Sequence, residues 1–240
     1  MGGCQLSLSS VNQRVLSLQS LACERDERLL FSDLSANFEA GDIVQILGSN
    51  GAGKTTLMRI VAGLSDSYTG EVLWNNAPHR GYDFFASVLY FGHATGVKQT
   101  LTALENLRWY FGLNGNKNTS AQAIDVSEAQ LEAALHKVGL AGYEDVPCHQ
   151  MSAGQKRRVA LARLYCSKAP IWLLDEPFTA IDVGGVQQLE GLIRAHAESG
   201  GIVLLTSHQP VNVPNLKTVD INQYRPSRGQ KSDMAVGNDD

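Results

Sequence analysis

The chain has 240 residues, 43% hydrophobic and 18% charged, which is ample apolar content for an ordinary globular core without disulfide support. A formal net charge of −4 removes any electrostatic reason to expect nucleic-acid binding, and no apolar run reaches the roughly 18–20 residues a transmembrane helix needs. The four cysteines, Cys4, Cys23, Cys148 and Cys166, lie far apart with no C-x-x-C pair and no histidine at metal spacing, so they read as reduced thiols.

Residues 1–20 are nearly uncharged, rich in Ser and Gln and weakly periodic, and are expected to form an N-terminal extension. They lack the basic start and continuous apolar stretch of a signal peptide, and Leu6 stands where a myristoylation pattern wants Ser or Thr. The expectation is a chain soluble by itself that reaches a membrane only through a partner.

Strand character begins at Leu29-Leu-Phe31 and, after a turn at Glu39-Ala-Gly-Asp42, returns in Ile43-Val-Gln-Ile-Leu47. The residues that follow, Gly48-Ser49-Asn50-Gly51-Ala52-Gly53-Lys54-Thr55, fit G-x-x-x-x-G-K-[ST] and lead with Thr56 into a helix-compatible stretch ending near Ala62. Strand, glycine-rich loop and helix in that order give backbone N–H groups that cradle nucleotide phosphates. Lys54 would then reach the β- and γ-phosphates and the Thr55 hydroxyl would coordinate Mg²⁺.

A turn at Tyr68-Thr-Gly70 precedes a short strand, Glu71-Val-Leu-Trp74, and from about Thr102 to Arg163 the spacing turns helical, with a loop-like break at Asn114 to Ser120. The string Met151-Ser152-Ala-Gly154-Gln155 sits in this helical part. Ile171-Trp-Leu-Leu-Asp175-Glu176 then places two carboxylates at the end of an apolar strand, the edge where open α/β sheets bind ligands. Asp175 suits a Mg²⁺ shell, and Glu176 a base or orienter for an attacking water. A helix-like stretch, Val186 to Ala197, leads to the strand Ile202–Thr206 and to His208 at the same sheet edge, where position alone fits a sensor of the γ-phosphate and a structural histidine equally. Beyond Pro214 the pattern weakens, and Arg225 to Asp240 is polar enough to be a disordered tail.

Taken together these strings resemble the ATP-binding subunits of ABC transporters over roughly residues 20–210. That resemblance implies a P-loop NTPase (RecA-like) α/β core, an N-terminal antiparallel β portion and an inserted helical subdomain at about 94–164. The domain would span 21–214, with 215–240 as a C-terminal strand and tail. It identifies Met151–Gln155 with the signature motif, whose Ser152, Gly154 and Gln155 contact the ATP of an opposite subunit. It identifies Asp182 with the D-loop and His208 with the switch histidine, and it implies ATP and Mg²⁺ as ligands of a homodimer.

Two positions depart from the family pattern. His93 stands where the family has a glutamine, and Arg25, in Arg25-Asp-Glu-Arg28, where an aromatic ring often stacks on adenine; a guanidinium can stack on a flat ring as well. The strings CERDER, LTALENLRWY and LLDEPFTAIDVGGV closely resemble the subgroup of haem exporters used in bacterial cytochrome c maturation. By that resemblance the chain would sit on the cytoplasmic face of the inner membrane, bound to integral-membrane permease subunits of that system, and would not bind haem itself. It would couple hydrolysis to haem export or to release of a haem-loaded chaperone. The alternative is the ATP-binding subunit of another ABC exporter.

Overall fold

The computed structural model describes residues 14–114 and 126–225. Strand β1 (Val15–Arg25) turns at Asp26 and Glu27 into β2 (Arg28–Glu39), and with β4 (Thr69–Trp74) and the two-residue β5 (Ala77–Pro78) they form an antiparallel sheet ordered β2-β1-β4-β5. The second sheet is parallel. Its strands β3 (Ile43–Leu47), β6 (Val88–Phe91), β7 (Ile171–Asp175), β8 (Ile202–Thr206) and β9 (Lys217–Asp220) run in the order β6-β7-β8-β3-β9.

The helices are α1 (Lys54–Val61), the short α2 (Tyr82–Ala86), α3 (Ala103–Asn114), α4 (Glu128–Lys137), α5 (Ala153–Cys166) and α6 (Val183–Glu198). Alternation along β7 explains how the layers hold together. Ile171 and Leu173 point into a cluster with Phe31, Ile46, Met58 and Ile60, which joins the parallel sheet to α1 and the antiparallel sheet. Trp172 and Leu174 point the other way, to Phe91, Leu161 and Ile193 under α5 and α6. All five residues of β7 and of β8 are buried, as a parallel sheet covered on both faces requires. A third apolar cluster, with Leu107, Phe111, Leu135 and Val159, holds α3, α4 and α5 together as the helical subdomain.

The structure differs from the sequence reading at its start. Pairing begins at Val15, inside the stretch assigned to an extension, with Leu16, Leu18, Leu21 and Cys23 all buried. The alternation was hidden because register shifts around Ser20 (φ 46°) interrupt the period of two. Strand β6 and helix α2 were also unanticipated, being only four and five residues long. Residues 1–13, 115–125 and 226–240, which include most of the expected extension, mid-chain loop and tail, lie outside the described residues.

Candidate nucleotide site

The phosphate loop sits where β3 ends. Gly48 has φ 154°, and a Cβ there would stand 2.5 Å from Cγ2 of the fully buried Ile221, so only glycine lets the chain pass that side chain. At Gly53 (φ 102°) the loop enters α1, whose first turn holds no side-chain cap bond and no acidic residue. Its amide donors and the positive end of the helix dipole therefore remain available to an anion. Lys54 folds back over the loop, donating from Nζ to the carbonyls of Gly48 at 2.7 Å and Ser49 at 3.4 Å.

Residues Asn50 to Thr56 line one wall of a cleft of about 400 Å³; Asp175, Glu176 and His208 line the other, with Arg25 and Leu30 at the rim. Neighbouring strands β7 and β8 bring the acidic pair and the histidine together. The Thr206 hydroxyl donates to Asp175 Oδ1 at 2.7 Å and accepts from the Glu176 amide at 2.9 Å, fixing both carboxylate residues to β8. Asp175 is 2% exposed, yet its Oδ2 has no hydrogen-bond partner. An unpaired buried carboxylate oxygen on a residue that lines the cleft together with Thr55 suits an oxygen-seeking divalent cation such as Mg²⁺.

Glu176 adopts φ 53°, a left-handed conformation that costs a non-glycine residue about 1–2 kcal/mol and persists where the surroundings enforce it. Its Oε2 accepts from the His208 amide at 3.2 Å, and its Oε1 lies 3.5 Å from His208 Nε2. The side chain is thus held against His208 in the cleft. Its main-chain carbonyl accepts from Nη2 of Arg157, a residue of α5 that is only 7% exposed. The Arg157 guanidinium also lies over the Phe91 ring, 4.9 Å from its centre, and its Nε has no hydrogen-bond partner. Burial pulls this guanidinium below its ordinary pKa, while the charges of Glu176 and Asp175 pull it back up.

Ser152, Gly154, Gln155, Asp182 and His93 do not line this cleft. Ser152 caps α5 in a reciprocal box: its Oγ accepts from the Gln155 amide at 3.2 Å, and Gln155 Oε1 accepts from the Ser152 amide at 2.9 Å. Gly154 lies in the first turn of that helix. Asp182 caps α6, accepting from the Gly185 amide at 2.8 Å, and borders a separate cleft of about 470 Å³ with Arg158 and Tyr165. His93 is exposed just past the end of β6 and does not line the phosphate cleft. Arg25 is exposed, with Asp26 3.7 Å away.

Sequence reasoning missed three supports of the site. In the sequence Thr206 reads only as a strand end. Asn222 lies beyond the assigned domain, yet accepts from Ser49. Arg157 did leave a signal: with Leu161 and Leu164 it falls on the buried helical stripe of α5, an unusual place for a charge.

Comparisons with known proteins bear on the family and the fold. A family model described as "ABC transporter" matches residues 31–179. The "Cytochrome c biogenesis ATP-binding export protein CcmA" of Saccharophagus degradans is 98% identical over 222 residues, 92% of this chain and 100% of that protein. The protein of the same name in Escherichia coli is 52% identical over 205 residues, 85% of this chain and 93% of that one. Among solved structures, a putative ABC transporter ATP-binding protein from Pyrococcus furiosus superposes with a TM-score of 0.74 at 22% identity, covering 88% of this chain and 100% of that one. A bacterial ABC transporter cassette solved as a dimer gives 0.72 at 22% identity, covering 86% of this chain and 94% of that one.

Proposed function

The chain belongs to the ABC transporter family, and we propose that it is the ATP-hydrolysing subunit of a cytochrome c biogenesis complex, coupling hydrolysis to haem export or to release of a haem-loaded chaperone. The observation that carries the catalytic part is the convergence, in one cleft, of the phosphate loop, the open Asp175 oxygen and the oriented Glu176. The biological part is supported by the 98% identical relative, named for cytochrome c biogenesis.

The reaction is ATP + H₂O → ADP + phosphate. Water attacks the γ-phosphorus as the bond to the β–γ bridging oxygen breaks. Lys54 offsets charge on the β- and γ-phosphates, and Glu176 orients the water and takes its proton. In this reading His208, which contacts Glu176, senses the γ-phosphate. Thr55 and Asp175 would hold Mg²⁺, which would supply positive charge against the phosphate oxygens.

ABC cassettes work as dimers, and in this reading the cleft is completed by Ser152, Gly154 and Gln155 of a second copy. The same chain's cleft contains none of the three, and they lie at the capped N-terminus of α5. His93 and Arg25 are assigned supporting roles, toward the Mg²⁺ and water region and toward adenine. Among the described residues no helix is long and apolar enough to cross a membrane, so attachment to the inner membrane's cytoplasmic face would come through integral permease subunits. Haem contact would lie with those partners, and nucleic acid has no part in the function.

Deleting the gene and complementing with wild type or Lys54→Ala tests this reading. Haem-bearing c-type cytochromes should be restored by the wild type alone. Normal c-type cytochromes in the deletion strain would refute the assignment and favour another exporter.

A further inference from the structure

Just past the end of β7, Glu176 takes a left-handed conformation, and its backbone is tied on both sides. The Thr206 hydroxyl holds its amide, and Nη2 of Arg157 holds its carbonyl. The two ties come from different parts of the molecule. Thr206 belongs to β8 in the same sheet, whereas Arg157 lies in the early turns of α5, the helix that Ser152 caps. Among the described hydrogen bonds, the one from Arg157 links the signature helix directly to the backbone of the proposed base. The guanidinium is buried and packed over Phe91, so the arm has little freedom of its own. A displacement of the start of α5 therefore moves the carbonyl of Glu176 with it.

We propose that Arg157 is a positioning residue through which the signature helix sets Glu176, so that closure of Ser152 on one ATP is transmitted to the base acting on the other. This rests on the dimer reading above, in which each α5 start faces the nucleotide bound by its partner while Arg157 reaches the base of its own subunit. The two ATP sites are then coupled by one short rigid arm in each subunit. Loss of the arm should impair turnover and cooperativity while leaving the phosphate cradle intact.

The test uses the full chain purified with its membrane partners. Arg157→Met keeps much of the stem but loses charge and donor; Arg157→Lys keeps both. The Met variant should lose at least about tenfold in kcat, since a small misplacement of a catalytic group is that costly. Its nucleotide Kd should stay within about threefold, its Tm should be close to wild type, and its Hill coefficient for ATP should fall to one. The Lys variant should recover most of the turnover. Wild-type kcat and cooperativity in Arg157→Met would overturn the link. So would parallel losses of kcat, affinity and Tm in both variants, which would make Arg157 scaffolding only. Sedimentation of Glu176→Gln in ATP separates the premises: a dimer there with a silent Arg157→Met sinks this proposal alone, and a monomer sinks the dimer reading and the coupling with it.

Discussion

Asn222 accepts hydrogen bonds on a single oxygen from both the amide and the hydroxyl of Ser49, at 3.4 and 3.2 Å, clamping the start of the phosphate loop to the chain's C-terminal segment. Asn222 is itself held, donating from its amide and from Nδ2 to Asp220 Oδ1, each at 2.9 Å. One such bond contributes about 0.5–1.5 kcal/mol. Asn222→Ala should therefore weaken nucleotide binding by about three- to tenfold, read by titration with a fluorescent nucleotide. Ser49→Ala should add little to Asn222→Ala, because the two share one interaction; fully additive losses would show the clamp is not their common cause.

Lys54 and Glu176 should fail in different ways. Lys54→Ala removes the point charge over the β- and γ-phosphates and should abolish hydrolysis and most of the tight binding. Glu176→Gln leaves the cradle intact, so ATP should bind near the wild-type level while turnover stops. Equilibrium binding alongside phosphate release separates the two. Wild-type hydrolysis by Glu176→Gln in the complex would remove Glu176 from the role of base.

His196 gives the fold an acid limit. Its ring stacks on Trp172 with centres 3.8 Å apart and planes 7° from parallel. Burial lowers its pKa from 6.5 to about 4, against a smaller upward pull from the Pro170 carbonyl. In that window the unfolded chain binds a proton that the folded chain does not, so stability is complete above about pH 6.5 and declines as pH falls toward 4. The full loss is about 3 kcal/mol at 1.36 kcal/mol per unit. Denaturant midpoints followed by tryptophan fluorescence should fall between pH 6.5 and 4 in the wild type, and less steeply in His196→Phe.

His93 should affect coupling more than binding, since it is exposed and outside the phosphate cleft. His93→Ala should lower ATPase activity in the complex with nucleotide affinity within a few-fold, and His93→Gln should retain most activity. Equal losses would mean the imidazole itself is required; no loss in either would leave His93 without a role.

The chemistry of the site was legible because it is written locally. The phosphate loop is contiguous from Gly48 to Thr55, and Asp175 and Glu176 directly follow the apolar run that buries them. Its supports were not, because they depend on strand order. Thr206 meets Asp175 only when β8 pairs beside β7, and Asn222 meets Ser49 only when β9 lies beside β3. Neither adjacency follows from spacing along the chain. Strand β1 escaped for a different reason: the register shifts near Ser20 break its alternation, although Leu16 and Leu21 are fully buried.

The reciprocal cap at the start of α5 gives that helix end a sign. Ser152 Oγ accepts a hydrogen bond from the Gln155 amide, and Gln155 Oε1 accepts one from the Ser152 amide. Each side chain thus spends acceptor capacity inward, which leaves the hydroxyl hydrogen and the amide NH₂ to face whatever approaches. The outward surface becomes a row of hydrogen donors on a positive dipole end, receptive to phosphate oxygens and unfavourable to a cation. A helix end dressed in this way favours an anion over a cation by the direction of its own hydrogen bonds alone.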